Sequence, residues 1–224
     1  MNSQFPIRIC FDLDGPILDV SEKYYRIYYD LLRERRVPPI PKTEYWACKR
    51  RSIPEEAILQ LSGITGWAEE YHRLRQSRIE TSEYLRFDSV WPGVREMLHD
   101  LSLQNSLVLV TFRHSPRALE WELKSLGLLP VFREVLFVSA AENVEDRAEL
   151  KVTIVRERFG ATPFSGWFVG DTETDIRAGR SLGLRTAAVT FGIRTVEHLL
   201  SQAPDILIQS PEELVAWANA HLMS

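Results

Sequence analysis

Short apolar runs alternate with amphipathic stretches along most of the chain, and this alternation predicts the secondary structure. The first run, at 7–11, is typical of a buried strand because it is apolar and ends abruptly at polar residues. Further strands, separated by amphipathic segments that predict helices, are expected at 106–111, 135–138, 167–169 and 186–190. A last strand is expected at 205–208, with a helix after it. Strands that alternate with helices imply right-handed βαβ units and a parallel sheet covered by helices on both faces.

The segment 19–88 has a different pattern, because its apolar residues recur at helical spacing and it contains no convincing strand. Asp19 with Glu22 three residues later predicts a capping box at the start of a first helix, which a proline-rich stretch ends. A further helix is predicted to open at Ser52, and another contains Trp67. The whole segment is therefore predicted to be helical.

This helical segment interrupts the α/β pattern directly after its first strand. We therefore expect a Rossmann-like α/β core domain formed by residues 1–18 and 89–224, with residues 19–88 inserted as a helical cap domain. An insertion at this point would lie over the carboxyl ends of the strands, where open α/β sheets bind their ligands and where a lid is useful.

The composition narrows the choice of function. At 224 residues, of which 45% are hydrophobic, the chain can bury a full core as one large or two modest domains. A formal net charge of −4 argues against a nucleic-acid-binding protein. No apolar run approaches the roughly 20 residues that span a bilayer, and no signal-peptide pattern opens the chain, so we expect a cytoplasmic protein without a membrane partner. The sequence leaves the oligomeric state, monomer or homodimer, open.

The two cysteines form no metal-binding or disulfide motif. Cys10 and Cys48 are far apart in the sequence and cannot build a disulfide framework. Cys10 falls inside the first predicted strand, so a buried, unreactive thiol is expected there.

Four polar clusters lie at the ends of successive predicted strands or at the start of the helix that follows. Because the carboxyl ends of parallel strands meet at one edge of a sheet, we expect the clusters to converge there. Together they supply carboxylates, a hydroxyl, a lysine and backbone N–H groups, which are the groups that phosphoryl transfer requires. The clusters are Asp12 with Asp14, Thr111 with Arg113, Lys151, and Gly170 and Asp171 with Asp175.

Asp12 and Asp14 stand one residue apart, directly after the first strand. Two carboxylates so close repel each other, and beside apolar surface they need a cation or a shared proton. Oxygen ligands of this kind suit Mg²⁺. The alternative is a solvated turn, which would leave the other three clusters as a coincidence.

The four clusters resemble the four motifs of the haloacid dehalogenase-like hydrolase superfamily. They occur in the family's order and at the right strand ends, and the resemblance runs from Phe5 to about Ile208. The helical insertion after the first motif is similar to the cap of the subgroup that contains phosphoglycolate phosphatases and β-phosphoglucomutases. The resemblance implies a Mg²⁺-dependent phosphatase that acts on a small phosphorylated metabolite through an aspartyl phosphate.

The resemblance also implies catalytic and phosphate-binding roles. Asp12 would be the nucleophile. Asp14 would protonate the leaving alcohol and then activate water, and its presence argues for phosphate chemistry over carbon–halogen cleavage. Thr111 and Lys151 would bind the phosphoryl oxygens.

A metal site is implied in the same way. Mg²⁺ would be held by Asp12, the backbone carbonyl of Asp14 and Asp171. Asp175 would act nearby, through a water or by positioning Lys151. Taken without the resemblance, Asp171 and Asp175 are equally compatible with a turn residue and a helix N-cap.

Two positions depart from the family's pattern. Pro16 follows Gly15 where the family commonly has threonine, so one local hydrogen bond is lost but no catalytic side chain. Thr111 is followed by Phe112 and Arg113, where many relatives have small or amide residues. Arg113 is therefore expected to be either a substrate ligand or a surface ion-pair partner.

A run of three cations, Lys49, Arg50 and Arg51, lies in the predicted cap. Such a run is usually a solvated surface. The alternative is a substrate-specificity loop that brings positive charge to the leaving group of the phosphoester.

Two other kinds of function stay open. A phosphomutase or pyrophosphatase of the same superfamily would use the same residues, and exclusion of water by the closed cap would decide whether an aspartyl phosphate survives. A non-catalytic binding protein on this fold would be expected to have lost part of the catalytic set, which is complete here.

Overall fold

The computed structural model describes residues 8–138, 146–160 and 165–223. In chain order, the described strands are β1 (Arg8–Phe11), β2 (Leu18–Asp19), β3 (Ser89–Val90), β4 (Ser106–Phe112), β5 (Glu134–Val138), β6 (Gly166–Gly170), β7 (Arg185–Val189) and β8 (Ile206–Ile208). The strand predicted at 7–11 is found from residue 8, and residue 7 lies outside the described residues.

Six of these strands form one parallel sheet in the order β5-β4-β1-β6-β7-β8. Ile9 of β1 lies opposite Leu107 of β4 on one side and opposite Trp167 of β6 on the other. The chain therefore builds the sheet outward from β1 first in one direction and then in the other. The direction changes at the three central strands, β4, β1 and β6. Sheets of this kind bind ligands outside the carboxyl ends of the strands at such a point.

The described α-helices are, in chain order, α1 (Ser21–Glu34), α2 (Lys42–Arg50), α3 (Glu55–Leu61), α4 (Ala68–Ile79), α5 (Ser82–Leu85), α6 (Val94–Ser102), α7 (Pro116–Ser125), α8 (Arg147–Phe159), α9 (Glu173–Ser181), α10 (Val196–Leu200) and α11 (Pro211–His221). The predicted alternation of strands and helices after residue 91 is confirmed, with element ends displaced by a few residues, except that α10 between β7 and β8 was not predicted. Among the described residues, no helix combines the length and the apolar character needed to cross a membrane.

Both faces of the sheet are covered. Along β1, Ile9 and Phe11 pack on the face that α6 and α11 cover, and Cys10 packs on the other face with α8 and α9. This division follows from the alternation of side chains along a strand. Burial raises the pKa of the Cys10 thiol to about 12, so the thiol is unreactive, as expected.

The helix predicted to open at Ser52 is misplaced. Ser52 lies in the turn between α2 and α3, with a φ of 57°, and α3 begins at Glu55. The sequence pattern also missed α2. This helix buries only Tyr45 and Cys48, which are too few apolar residues to give a periodic signal.

The predicted capping box of Asp19 with Glu22 is also wrong. Asp19 lies in β2, one residue before the N-cap position, and its carboxylate accepts a hydrogen bond from the backbone N–H of Ser21 at 2.9 Å. The pairing of β2 with β3 draws Asp19 into a strand, so the helix starts later than the local sequence indicates.

Helices α1 to α5 bury a second apolar cluster of their own. Tyr28 of α1 stacks on Tyr45 of α2 with ring centroids 4.5 Å apart, and Tyr71 of α4 packs edge-on against Tyr28. The short β2–β3 ribbon lies where the sequence predicts the cap to begin and end. The division into a core of 1–18 with 89–224 and a cap of 19–88 stays a prediction.

Candidate active site

The polar clusters at the three central strands lie side by side at the carboxyl edge of the sheet. Asp12 directly follows β1, and its backbone N–H donates to the carbonyl oxygen of Val169 in β6 at 2.9 Å. Thr111 is near the end of β4, and Asp171 directly follows β6. All three side chains are buried.

Lys151 of α8 links two carboxylates of this edge. Its Nζ donates to Oδ1 of Asp12 at 2.9 Å and to Oδ1 of Asp175 at 2.6 Å. Burial raises the pKa of Asp12 to about 6, because it outweighs the opposing attraction of Lys151. Burial also works against the charge of Lys151, but Asp12 and Asp175 raise its pKa above the ordinary value, so the ammonium stays charged.

Asp175 both caps the start of α9 and holds Lys151, but it is not the N-cap residue that the sequence offered as an alternative, because Thr172 is the N-cap and Asp175 is the N3 residue of a capping box. Its Oδ2 accepts hydrogen bonds from the backbone N–H of Asp171 at 3.2 Å, the N–H of Thr172 at 3.0 Å and the hydroxyl of Thr172 at 2.6 Å. These contacts cap the start of α9, while Oδ1 holds Lys151. Both oxygens of Asp175 are thus occupied by protein donors.

Asp171 is fully buried, and its two carboxylate oxygens have different surroundings. Its Oδ2 accepts from the backbone N–H of Ile193 at 2.5 Å, and its Oδ1 has no hydrogen-bond partner among the described residues. The backbone packs tightly against this carboxylate, since a Cβ added at Gly15 or Gly192 would come within 2.1 Å or 2.2 Å of it. The chain therefore fixes the position of a carboxylate that it leaves unpartnered.

Asp12, Asp171 and Asp175 form an acidic trio, with ligand atoms within 4.8 Å of one another. Burial, followed by the charges of Asp175 and Asp12, raises the pKa of Asp171 well above its ordinary value. An unpartnered buried carboxylate oxygen beside other carboxylates matches the oxygen ligands of a hard cation. The trio therefore fits a divalent cation, with Asp171 and Asp12 better placed as ligands than the saturated Asp175.

The guanidinium of Arg113 forms a bidentate hydrogen-bonded ion pair with the carboxylate of Asp14. Nη1 donates to Oδ2 at 2.8 Å and Nη2 to Oδ1 at 2.7 Å, and Nη2 also donates to Glu122 at 3.1 Å. Burial works to raise the pKa of Asp14, but Arg113 and Lys23 outweigh it and hold that pKa below the ordinary value. Arg113 is only 6% exposed, which excludes the surface ion pair that was one of its two expected roles.

A cavity of about 400 Å³ opens onto these groups. Of the residues predicted to act in catalysis or phosphate binding, Asp12, Asp14, Thr111 and Lys151 all line it. The inserted helices contribute further lining residues, which are Tyr24 of α1 and His72, Arg75, Gln76 and Ile79 of α4.

The three cations Lys49, Arg50 and Arg51 are not among the residues that line this cavity. Lys49 donates to Glu55 at 2.6 Å, and Arg50 donates to the carbonyl oxygen of Arg194 at 3.1 Å. Arg51 is exposed and donates to the carbonyl oxygen of Ala47 in its own helix. The first two therefore have structural partners, and only Arg51 matches the solvated surface.

A family model described as haloacid dehalogenase-like hydrolase matches residues 9–189. The chain belongs to the haloacid dehalogenase-like hydrolase family. The matched span contains all four polar clusters and the helical insertion, so the resemblance inferred from the motifs is confirmed.

Individual proteins are similar to this chain over most of its length. A phosphoglycolate phosphatase from Synechococcus elongatus is 25% identical and aligns over 92% of this chain and 94% of its own. An N-acetylmuramic acid 6-phosphate phosphatase from Pseudomonas putida is 26% identical, over 92% and 93%. The structure of a haloacid dehalogenase-like hydrolase from Streptococcus pneumoniae superposes with a TM-score of 0.75 at 20% identity, covering 95% and 98% of the two chains.

Two features of this hydrolase's site were missed in the sequence. Lys23 of α1 is completely buried, lies 3.9 Å from Asp14 and hydrogen-bonds to Asp88, although it resembles an ordinary surface lysine in the sequence. His72, Arg75 and Gln76 present a polar face of α4 to the cavity. Their spacing of three and four residues on one helix was the available signal, but polar residues at that spacing usually face solvent.

Proposed function

We propose that this hydrolase is a Mg²⁺-dependent phosphatase that removes the phosphoryl group from a small phosphate monoester through an aspartyl phosphate on Asp12. The observation that carries the proposal is the surroundings of Asp12 at the end of β1. Its carboxylate accepts from Lys151 and lies beside the unpartnered oxygen of Asp171 in the acidic trio. A nucleophile, a cation and room for a metal ion are the parts that phosphoryl transfer needs.

The metal would be held by Asp12, Asp171 and the backbone carbonyl of Asp14. When bound, Mg²⁺ supplies positive charge that offsets the phosphoryl oxygens and the clustered carboxylates. Asp175 would act as the residue that positions Lys151, because both of its oxygens already accept from protein donors.

The carboxylate of Asp12 attacks phosphorus, the bond from phosphorus to the ester oxygen breaks, and that oxygen leaves with the electron pair. Asp14, whose pKa Arg113 and Lys23 lower, takes up a proton from solvent when the anionic substrate binds and gives it to the leaving oxygen. Water then attacks the phosphorus of the aspartyl phosphate and the bond from phosphorus to Asp12 breaks, while Asp14, again a carboxylate, accepts a proton from that water. Inorganic phosphate is released and Asp12 is restored.

The remaining residues bind and orient. The Lys151 ammonium and the Thr111 hydroxyl hold the phosphoryl oxygens. Arg113 orients Asp14 by hydrogen bonding to its carboxylate. The side chain of Asp14 is still 22% exposed, so its carboxylate reaches the cavity. Residues 19–88 act as the cap, whose helices α1 and α4 line the cavity and limit the entry of water.

The test is Mg²⁺-dependent phosphate release from a panel of phosphorylated metabolites that includes sugar phosphates, phosphoglycolate and pyrophosphate. Asp12→Asn is expected to lower kcat by at least about 10³-fold, because an amide cannot attack phosphorus. The matched control is Asp100→Asn, the same change at an exposed carboxylate of α6. Full activity of Asp12→Asn would refute the proposal, and an isomeric product in place of free phosphate would identify a phosphomutase.

A further inference from the structure

The α4 side of the cavity contains groups that the proposed reaction does not use. His72, Arg75, Gln76 and Ile79 follow the spacing i, i+3, i+4 and i+7, so they lie along one face of the helix, and all four line the cavity. Arg75 and Gln76 both contact His72, since Nη2 of Arg75 lies 3.1 Å from His72 Nδ1 and Nε2 of Gln76 lies 3.2 Å from His72 Nε2. A neutral imidazole accepts a hydrogen bond from only one of these two donors.

Arg75 is a largely buried cation with an incomplete set of partners. Its side chain is 15% exposed, and within the part of the chain that the structure describes its Nε has no hydrogen-bond partner. Nε of Arg75 lies 4.0 Å from Oε1 of Glu55. That same oxygen accepts from Lys49 at 2.6 Å. Lys49 and Arg75 therefore both lie at Oε1 of Glu55, and of these two cations Arg75 is the one that lines the cavity.

The other cations that line the cavity have different surroundings. Arg113 is paired with Asp14, Lys151 with Asp12 and Asp175, and Arg194 with Glu173. Arg147 is exposed and lies over the ring of Phe112, with its guanidinium carbon 4.3 Å from the ring centroid. Arg75 thus differs in being largely buried while the carboxylate beside it, that of Glu55, accepts a hydrogen bond from Lys49.

We propose that Arg75 binds a second anionic group of the substrate, a carboxylate or a second phosphoryl group on the part that leaves. This inference rests on the proposed function and specifies its substrate class. The guanidinium fork matches the oxygens of either group, and Arg75 is a largely buried cation that lines the cavity. A charge-assisted hydrogen bond of this kind is worth about 10- to 100-fold in affinity.

The test uses probes that cannot be hydrolysed, so that binding is measured independently of turnover. At fixed free Mg²⁺, calorimetry compares phosphonoacetate with 2-hydroxyethylphosphonate, and methylenebisphosphonate with methylphosphonate. The first pair differs by a carboxylate and the second by a phosphoryl group. We expect the unmodified protein to bind the two-anion member of at least one pair about 10- to 100-fold more tightly, and that pair identifies the second group.

In Arg75→Gln this preference should disappear while the one-anion probe binds as before, and Arg75→Lys should keep part of it because the charge remains without the fork. Arg73→Gln is the matched control, since Arg73 is exposed on the same helix and does not line the cavity. Thermal unfolding of each variant checks that the fold is intact.

The inference is overturned if the unmodified protein binds both members of each pair equally, if Arg75→Gln keeps the preference, or if Arg147→Gln removes it instead. Phosphate release is measured separately. A preference that depends on Arg75 in a protein that hydrolyses no phosphoester would contradict the proposed function and still support the anion site.

Discussion

At the scale of single residues, the contacts of Asp14 bear on its proposed role as an acid and a base. Arg113 makes two hydrogen bonds to its carboxylate from within the protein, and Glu122, which is 1% exposed, supports Arg113. Lys23 lies on another side of the same carboxylate, 3.9 Å away. A carboxylate held in this way has a fixed orientation toward the substrate, which general acid–base catalysis requires.

Arg113→Lys is expected to lower kcat for alkyl phosphates by about 10- to 100-fold, because a lysine cannot make the paired hydrogen bonds that orient Asp14. Acetyl phosphate and aryl phosphates should be affected little, since their leaving groups depart without a proton. The measurement is kcat across leaving groups of different basicity.

The control for this prediction is the same substitution in an Asp14→Asn background, where it should have no further effect on kcat if Arg113 acts through Asp14. An equal loss for all leaving groups would contradict the positioning role and would indicate a general disturbance of the site.

At the scale of secondary structure elements, Asp205 joins two neighbouring strands of the sheet. Its carboxylate accepts from the backbone N–H of Thr186 in β7 at 2.7 Å and from the Thr186 hydroxyl at 2.9 Å, just before β8 begins. The hydrogen bond from the Thr186 backbone is the main cause that lowers the pKa of Asp205. This contact fixes the start of an edge strand that is only three residues long.

Asp205→Ala is expected to reduce the free energy of unfolding at pH 7 by about 1 kcal/mol, a modest value because the group is exposed. A carboxyl whose pKa is lowered by folding stabilises the protein above its unfolded pKa of about 3.9, and this contribution is lost as the pH falls through the folded pKa. Urea unfolding at pH 7 and at pH 3 should thus show a smaller difference at the lower pH. A difference that does not change with pH would contradict this account.

The elements themselves were predictable to different degrees. β4 was predicted within one residue, because a continuous apolar run has a strong local signal, and α7 is the helix expected between β4 and β5, with Pro116 at its start and Gly127 after its end. The start of α1 and the existence of α2 were not predicted. Asp19 is drawn into a strand by its distant partner Ser89, and α2 becomes a helix through packing of Tyr45 on Tyr28.

At the scale of the whole molecule, the parallel sheet brings carboxylates from distant parts of the chain into one buried cluster. Asp12 and Asp171 meet because β1 and β6 are neighbours, and Asp175 follows at the start of α9. Their mutual repulsion destabilises the folded chain, and a cation that binds the cluster would offset it.

Saturating Mg²⁺ is therefore expected to stabilise the folded protein, by about 2.7 kcal/mol at a hundredfold excess over Kd, and each kcal/mol raises Tm by about 2–4 °C for a domain of this size. Asp171→Asn should raise Tm in the absence of Mg²⁺, because it removes a carboxyl whose charged form is destabilised by burial and by its acidic neighbours, and should abolish most of the response to the ion. Calorimetry with and without EDTA measures both effects. A Tm of the unmodified protein that is insensitive to Mg²⁺ would contradict the proposed metal site.

The sequence by itself determined the α/β architecture and the strand ends at which Asp12, Thr111 and Asp171 lie. These features follow from local periodicity and from the order of the elements along the chain, which short-range physical rules translate into a sheet.

Only the tertiary structure decided the partners of the charged side chains. Arg113 meets Asp14 across 99 positions of sequence, and Arg50 meets Arg194 across 144. Arg75 faces the cavity because of how α4 packs on its neighbouring helices. Whether a cation is solvated, paired or directed into a cavity depends on which distant elements cover it, and neither residue type nor spacing contains that information.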